Sequence, residues 1–240
     1  MISEKYLILG VAFPFIMNAV GSLLIYLTPA KGNWEWLSGV SAGIMTAACI
    51  WSLIIPAVKL SAHLEGLAFL PACVGMLIGA IVLYFSDQLI KKRKAGSSFN
   101  KLFWAMALHN LPEGLAVGFA FGSTSINVGE AMGIAFGIGV QNLPEGLAVS
   151  LAYKTAGSNK SKSCLYGVLS GVCEPIGALI GFITVIYLQF LQPWILAFSA
   201  GAMVYVIVEE LIPESVKSKF GIFGFAVGFL FMMGLDLFLG

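Results

Sequence analysis

Along its 240 residues the chain sets long apolar runs between short polar interruptions. Eight runs, near 6–27, 37–58, 66–89, 101–122, 128–153, 164–188, 192–212 and 219–239, are long enough to cross a hydrocarbon core. That core is about 30 Å thick and needs about 20 residues of helix. The pattern predicts an all-α polytopic membrane protein of eight transmembrane helices, a single transmembrane domain over 1–240 with only short connections. The first run reads as a span rather than a signal sequence. Glu4 beside Lys5 gives no positive leader, and the run exceeds the roughly 7 to 15 residues of a signal core.

Composition agrees, with 59% hydrophobic and 10% charged residues and a mean hydropathy of +0.94. A soluble domain carries about 25% charged residues. Chemistry must therefore occur within the bilayer. Charge then orients the spans. When they alternate sides, Lys31, Lys91, Lys92, Arg93, Lys94, Lys101, Lys154, Lys160, Lys162, Lys217 and Lys219 fall on one side, against Lys5 and Lys59 on the other. The first side is cytoplasmic by the positive-inside rule, so both termini face outward. Topology accounts for the KKRK run, and no nucleic-acid partner is expected.

Internal repeats divide the chain. Asn110 to Val117 and Asn142 to Val149 both read NLPEGLAV, in spans 4 and 5. SAGIM, 41–45 in span 2, is echoed by SAGAM, 199–203 in span 7, and each is followed at similar distance by a proline, Pro56 and Pro213. The paired spans run in opposite directions. The expected architecture is an inverted repeat, spans 1–3 against 6–8 and span 4 against span 5, as in transporters whose substrate site lies at the repeat interface.

The duplicated segments carry the chemistry. His109, Asn110 and Glu113 share one face of span 4, and Gln141, Asn142 and Glu145 repeat that spacing in span 5. Pro112 and Pro144 free the carbonyls of Leu108 and Val140 and are expected to bend both helices. Span 6 adds Glu174 before Pro175. Each carboxylate at a helix centre costs about 2.5 to 3.5 kcal/mol, so three cost on the order of 8 to 10 if unpaired. Every Lys and Arg lies at a span end or in a loop. Protons or a cation must then neutralise the acids. One imidazole among carboxylate and amide oxygens suits Zn, Fe, Mn, Cd or Co better than Cu(I).

HNLPEG, QNLPEG and the glutamate-proline pair of span 6 resemble the core motifs of the ZIP (Zrt/Irt-like) metal transporters, in particular the GufA-like branch, over essentially the whole chain. The resemblance implies a binuclear centre. One site would use His109, Glu113, Gln141 and Glu145, the other Asn110, Glu113, Asn142, Glu145 and Glu174, with the PEG glutamates bridging. It implies a scaffold of spans 2, 4, 5 and 7 moving against the other four. A route from outside past Met45 and Ser52, with Met203 in the matching span, would lead to an exit at Asp87, Glu209 and Glu210. The metal would be substrate and not cofactor, the protein would not be an enzyme, and a homodimer is compatible with it. Short loops and GufA-like motifs favour a prokaryotic inner membrane.

Two departures stand out. Many members carry histidine at the position of Gln141, and some carry aspartate or histidine at that of Asn142. The cytoplasmic loop has no histidine. An intramembrane zinc hydrolase is the main alternative, but HNLPE supplies no second imidazole to match HExxH. An exporter or sensor is the other. His63 and Glu65 read as solvated residues, and Cys49, Cys73, Cys164 and Cys173 lack metal-site spacing.

Overall fold

A computed structural model describes residues 4–28, 34–92 and 98–239. Lys31, Arg93 and Lys94 of the charge count lie outside these residues, as do the side chains of Lys91, Lys92 and Lys101. Among the described residues there is no strand. The helices are α1 (Glu4–Leu23), α2 (Trp34–Ala48), α3 (Ile55–Leu60), α4 (Leu70–Lys92), α5 (Ser98–Gly122), α6 (Val128–Thr155), α7 (Lys160–Ser170), α8 (Cys173–Tyr187), α9 (Gln192–Val206), α10 (Ile212–Ser215) and α11 (Lys219–Leu239).

The apolar runs become helices because a chain in lipid must satisfy its own backbone polar groups. Among the described residues six stretches are apolar and long enough to cross a membrane: 4–26, 35–60, 70–90, 160–187, 189–215 and 219–238. The sequence reading expected eight. The difference lies in α5 and α6, whose lengths of 25 and 28 residues suffice but whose polar groups lower their hydropathy. Large apolar side chains of α4 and α11, among them Leu77, Phe85, Leu89, Phe220, Phe223 and Phe231, stand exposed, as a lipid-facing surface requires.

Three features interrupt the expected spans. The 164–188 run is broken, α7 ending at Ser170 and α8 starting at Cys173. α2 passes into a π-helical segment, Cys49–Ile54, and α9 into another, Ile207–Leu211; α3 and α10, with Pro56 and Pro213, follow directly. A proline crowds the carbonyl four residues before it and donates no hydrogen bond, so a widened turn just upstream relieves it. α5 and α6, by contrast, continue through Pro112 and Pro144. α6 begins in a capping box, Asn127 Oδ1 accepting from Glu130 N and Glu130 Oε2 from Asn127 N, both at 3.0 Å.

The closest packing joins α1 to α6, α5 to α8, α2 to α11 and α4 to α9. Motif glycines sit at each of these contacts. A methyl group on Gly114 would lie 2.1 Å from the carbonyl oxygen of Glu174, and one on Gly146 would lie 2.1 Å from that of Asn18. The SAG glycines do the same, Gly43 at 2.2 Å from Phe225 O and Gly201 at 2.0 Å from Met76 O. These residues are glycine because two backbones meet there. Gly118→Ala, whose added carbon would fall 1.9 Å from Ala178 O, should force α5 and α8 apart and cost about 1 to 3 kcal/mol. Thermal unfolding in detergent should show this as a lowered midpoint, and an unchanged midpoint would contradict the contact.

Candidate metal centre

α5 carries His109, Asn110 and Glu113 on one face, α6 presents Gln141, Asn142 and Glu145 opposite, and the first turn of α8 brings Glu174. All seven are at most 8% exposed. Glu113 stands near enough to Glu145 and Glu174 for their charges to repel, and Glu174 to Glu145. Among the described residues no Lys or Arg is buried. The residues selected from sequence spacing are therefore gathered in space, with no base to neutralise them.

Hydrogen bonding polarises the amides. Gln141 Nε2 donates to Glu113 Oε1 at 2.8 Å, Asn110 Nδ2 to Ser170 O at 3.0 Å and Asn142 Nδ2 to Pro14 O at 3.4 Å. Each amide oxygen is left buried and without a partner. So are His109 Nδ1, Glu113 Oε2 and both oxygens of Glu145 and Glu174. A buried acceptor without a donor costs about 1 to 3 kcal/mol, and more when charged. Every unsatisfied atom here is of a kind that can ligate a cation, and of the three amide nitrogens the one of Gln141 is spent on Glu113 while those of Asn110 and Asn142 reach backbone carbonyls. Among the described residues no three His, Cys, Asp or Glu side chains alone are gathered closely enough to hold an ion.

Two cavities approach this cluster. One, of about 400 Å³, has His109, Glu145 and Met45 in its wall together with Ser41, Thr155, Glu210 and Glu214. It lies at the end of the molecule bearing Lys154 and Lys217, the latter paired with Glu214. The other, of about 360 Å³, is lined by Ser52, Pro56, Lys59, Glu130, Ile134 and Asp236. Ser52 Oγ donates to Asp236 Oδ1 at 2.8 Å. Both groups lie over Gly137, one helical turn before Gln141. Met45, Cys49, Ile134, Ile138 and Met203, all at most 4% exposed, belong to one apolar cluster that reaches the first cavity at Met45 and the second at Ile134.

The expected pathway residues separate here. Met45 and Glu210 line the first cavity and Ser52 the second, while Met203 is buried in the apolar cluster. The charge of Glu209 reaches His109, although its side chain is not in a cavity wall. Asp87 is turned toward α9, where Tyr205 donates to its Oδ2 at 3.4 Å, and stands outside the cavity at that end. His63 lies on the surface, its ring beside Leu60 O at 3.2 Å. All four cysteines are free thiols.

Residues 98–236, which include every member of the cluster, match the ZIP Zinc transporter family. The chain belongs to that family. It is 37% identical to Zinc transporter GufA of Myxococcus xanthus over 84% of this chain and 85% of the relative. It is 32% identical to Zinc transporter ZIP11 of Xenopus tropicalis over 97% of both, and 31% identical to Zinc transporter ZIPB of Bordetella bronchiseptica over 98% of this chain and 82% of the relative.

Within this ZIP chain, sequence reasoning missed Asp236, Glu214 and Asn18. Asp236 is a lone acid close to the end of the last apolar run, a place where solvated carboxylates are common. Glu214 follows Pro213 and reads as loop. Asn18 is a single amide in an otherwise apolar span, which was the available signal. If the amide oxygens ligate metal, Gln141→Leu, which removes one and leaves Glu113 Oε1 without its donor, should weaken zinc binding by about tenfold or more. Calorimetric titration of the detergent-solubilised protein checks this; affinity within twofold of wild type would remove Gln141 from the site.

Proposed function

We propose that the protein carries divalent transition-metal ions across a membrane toward the cytoplasm, zinc foremost, through a binuclear centre between α5, α6 and α8, by alternating access. The relatives are all named zinc transporters, which favours carriage over the hydrolytic alternative. The observation that carries the reading is the polarity of the cluster: seven buried side chains whose unsatisfied atoms are amide and carboxylate oxygens and one imidazole nitrogen. An ion of charge two supplies what no protein donor supplies there.

In this reading α5 and α6 are also spans, making eight with both termini outside. Their polar groups face each other and not lipid. Support for an inverted repeat comes from the packing. The close pairs α1·α6 and α8·α5, and likewise α2·α11 and α9·α4, exchange when the first three spans are swapped for the last three. The two π-helical segments exchange as well, and each walls one of the two cavities.

The path follows from the cavity walls. Ions enter at Asp236 and Ser52, whose pair gives a single hard station above Gln141. They pass to the central oxygens and His109 once the apolar cluster holding Met45 and Met203 parts, then leave through the cavity lined by Glu210 and Glu214. At each station the ion's charge offsets that of the acids, so no station needs a buried base. Protonation of Glu113 or Glu145 would remove a ligand and ease release. Relatives of this similarity occur in bacteria and vertebrates alike, so a bacterial inner-membrane setting rests on the short loops alone.

In proteoliposomes containing a trapped metal-sensitive dye, the wild type should carry zinc or another divalent metal, and Glu145→Ala should abolish the flux. No flux of any divalent metal, or wild-type flux from Glu145→Ala, would refute transport through this centre. Asp236→Asn should raise the apparent KM from outside by about tenfold and leave equilibrium metal binding at the centre unchanged. An unaltered KM would take Asp236 off the route.

A further inference from the structure

The broken helix ahead of Glu174 has an owner that the metal centre does not explain. α7 stops at Ser170 and α8 begins at Cys173, so the last carbonyls of α7 lack their usual partners. Two buried asparagines supply donors to them. Asn110 Nδ2 donates to Ser170 O at 3.0 Å, and Asn18 Nδ2 donates to Gly167 O at 3.0 Å across 149 residues. Ser170 Oγ also donates to Gly167 O, at 2.8 Å. Gly171, at the break, accommodates Asn18 specifically, since a methyl group there would lie 2.1 Å from Asn18 Nδ2.

Asn18 is fully buried and shows the same polarity as the amides of the centre: its nitrogen is bound and its Oδ1 has no partner. Its position is equivalent to that of Glu174. Gly114, the residue after the first PEG glutamate, packs on the carbonyl of Glu174, and Gly146, the residue after the second, on the carbonyl of Asn18; a methyl group added to either glycine would lie 2.1 Å from that oxygen. Ser22 Oγ, one turn further along α1, donates to Asn18 O at 2.9 Å and Gly146 O at 3.2 Å, tying α1 to α6 beside Glu145.

We propose that Asn18 is a positioning residue of the transport site: its amide caps the end of α7, fixes the helix break and thereby sets the place from which the Glu174 carboxylate reaches the metal. This rests on the metal-centre reading above. Asn18 acts through Glu174 in the way that outer partners orient metal ligands elsewhere, where their loss lowers affinity about 10- to 100-fold.

A double-mutant cycle tests it in the full-length protein, with zinc uptake into proteoliposomes and zinc titration in detergent as paired readouts. Asn18→Ala should raise apparent KM and the zinc dissociation constant about tenfold with Vmax within twofold, and Ser22→Ala, which loosens the same junction away from the break, should change neither by twofold. In a Glu174→Gln background, Asn18→Ala should add less than twofold. An Asn18→Ala KM within twofold of wild type, or a full tenfold effect persisting without Glu174, overturns the proposal. Should Asn18→Ala fail to fold, Asn18→Leu keeps the approximate volume and removes the amide donor without adding charge, and the same comparison applies to it. Absence of wild-type flux would refute the transport reading, and the titration arm would still decide the role of Asn18.

Discussion

Three carboxylates share the interior of a helical membrane protein in which, among the described residues, no lysine or arginine is buried. That single imbalance organises the rest of the structure. Left as charges in a medium of low dielectric constant, Glu113, Glu145 and Glu174 repel one another and oppose folding. The fold surrounds them with other acceptors and turns only part of the available donor capacity toward them. Gln141 gives its amide hydrogen to one oxygen of Glu113, and the hydrogens of Asn110 and Asn142 go to backbone carbonyls. A core built only for stability would pair these groups with each other. This one holds its acceptors in reserve.

Close helix approach makes the arrangement possible. The PEG glycines let α8 and α1 press onto α5 and α6 immediately beside the two glutamates, so the ligands are held by backbone contacts instead of by long flexible side chains. The SAG glycines perform the same task one layer out, where α2 meets α11 and α9 meets α4. Ser199, from the second SAG repeat, also donates to Pro112 O at 2.6 Å, which ties the outer layer to the proline of the first PEG motif. The π-helical segments widen α2 and α9 where each borders a cavity, and one apolar cluster contributes Met45 to the first cavity wall and Ile134 to the second. In the proposed carrier that cluster would keep the two cavities from joining, because a continuous wet path would dissipate the gradient.

Much of this could be read from the residues. The apolar runs became helices because lipid offers the backbone no partners, and i, i+3 and i+4 spacing grouped the polar residues of α5 on one face and those of α6 on another, while bringing the faces and Glu174 together was left to packing. The reading weakened where hydropathy and interior polarity conflict: α5 and α6, the two helices that bear the motifs, are those that do not register among the six apolar crossings. It also weakened at the exit. Glu209, Glu210 and Asp87 look alike in a sequence, yet Asp87 is turned aside to Tyr205 and Glu214 replaces it in the cavity wall.

By itself the sequence determined the helical class, the membrane environment, the duplicated motif and the set of acids that protons or a cation must neutralise, since these follow from local periodicity and composition. The tertiary structure alone decided which way each amide faces, that Asp236 meets Ser52 across 184 residues, and that Asn18 donates to Gly167 O near the end of α7. Those outcomes depend on which backbones approach one another. No local pattern encodes a contact between distant helices, and a polar residue inside an apolar span acquires its role only from the neighbour that folding brings to it.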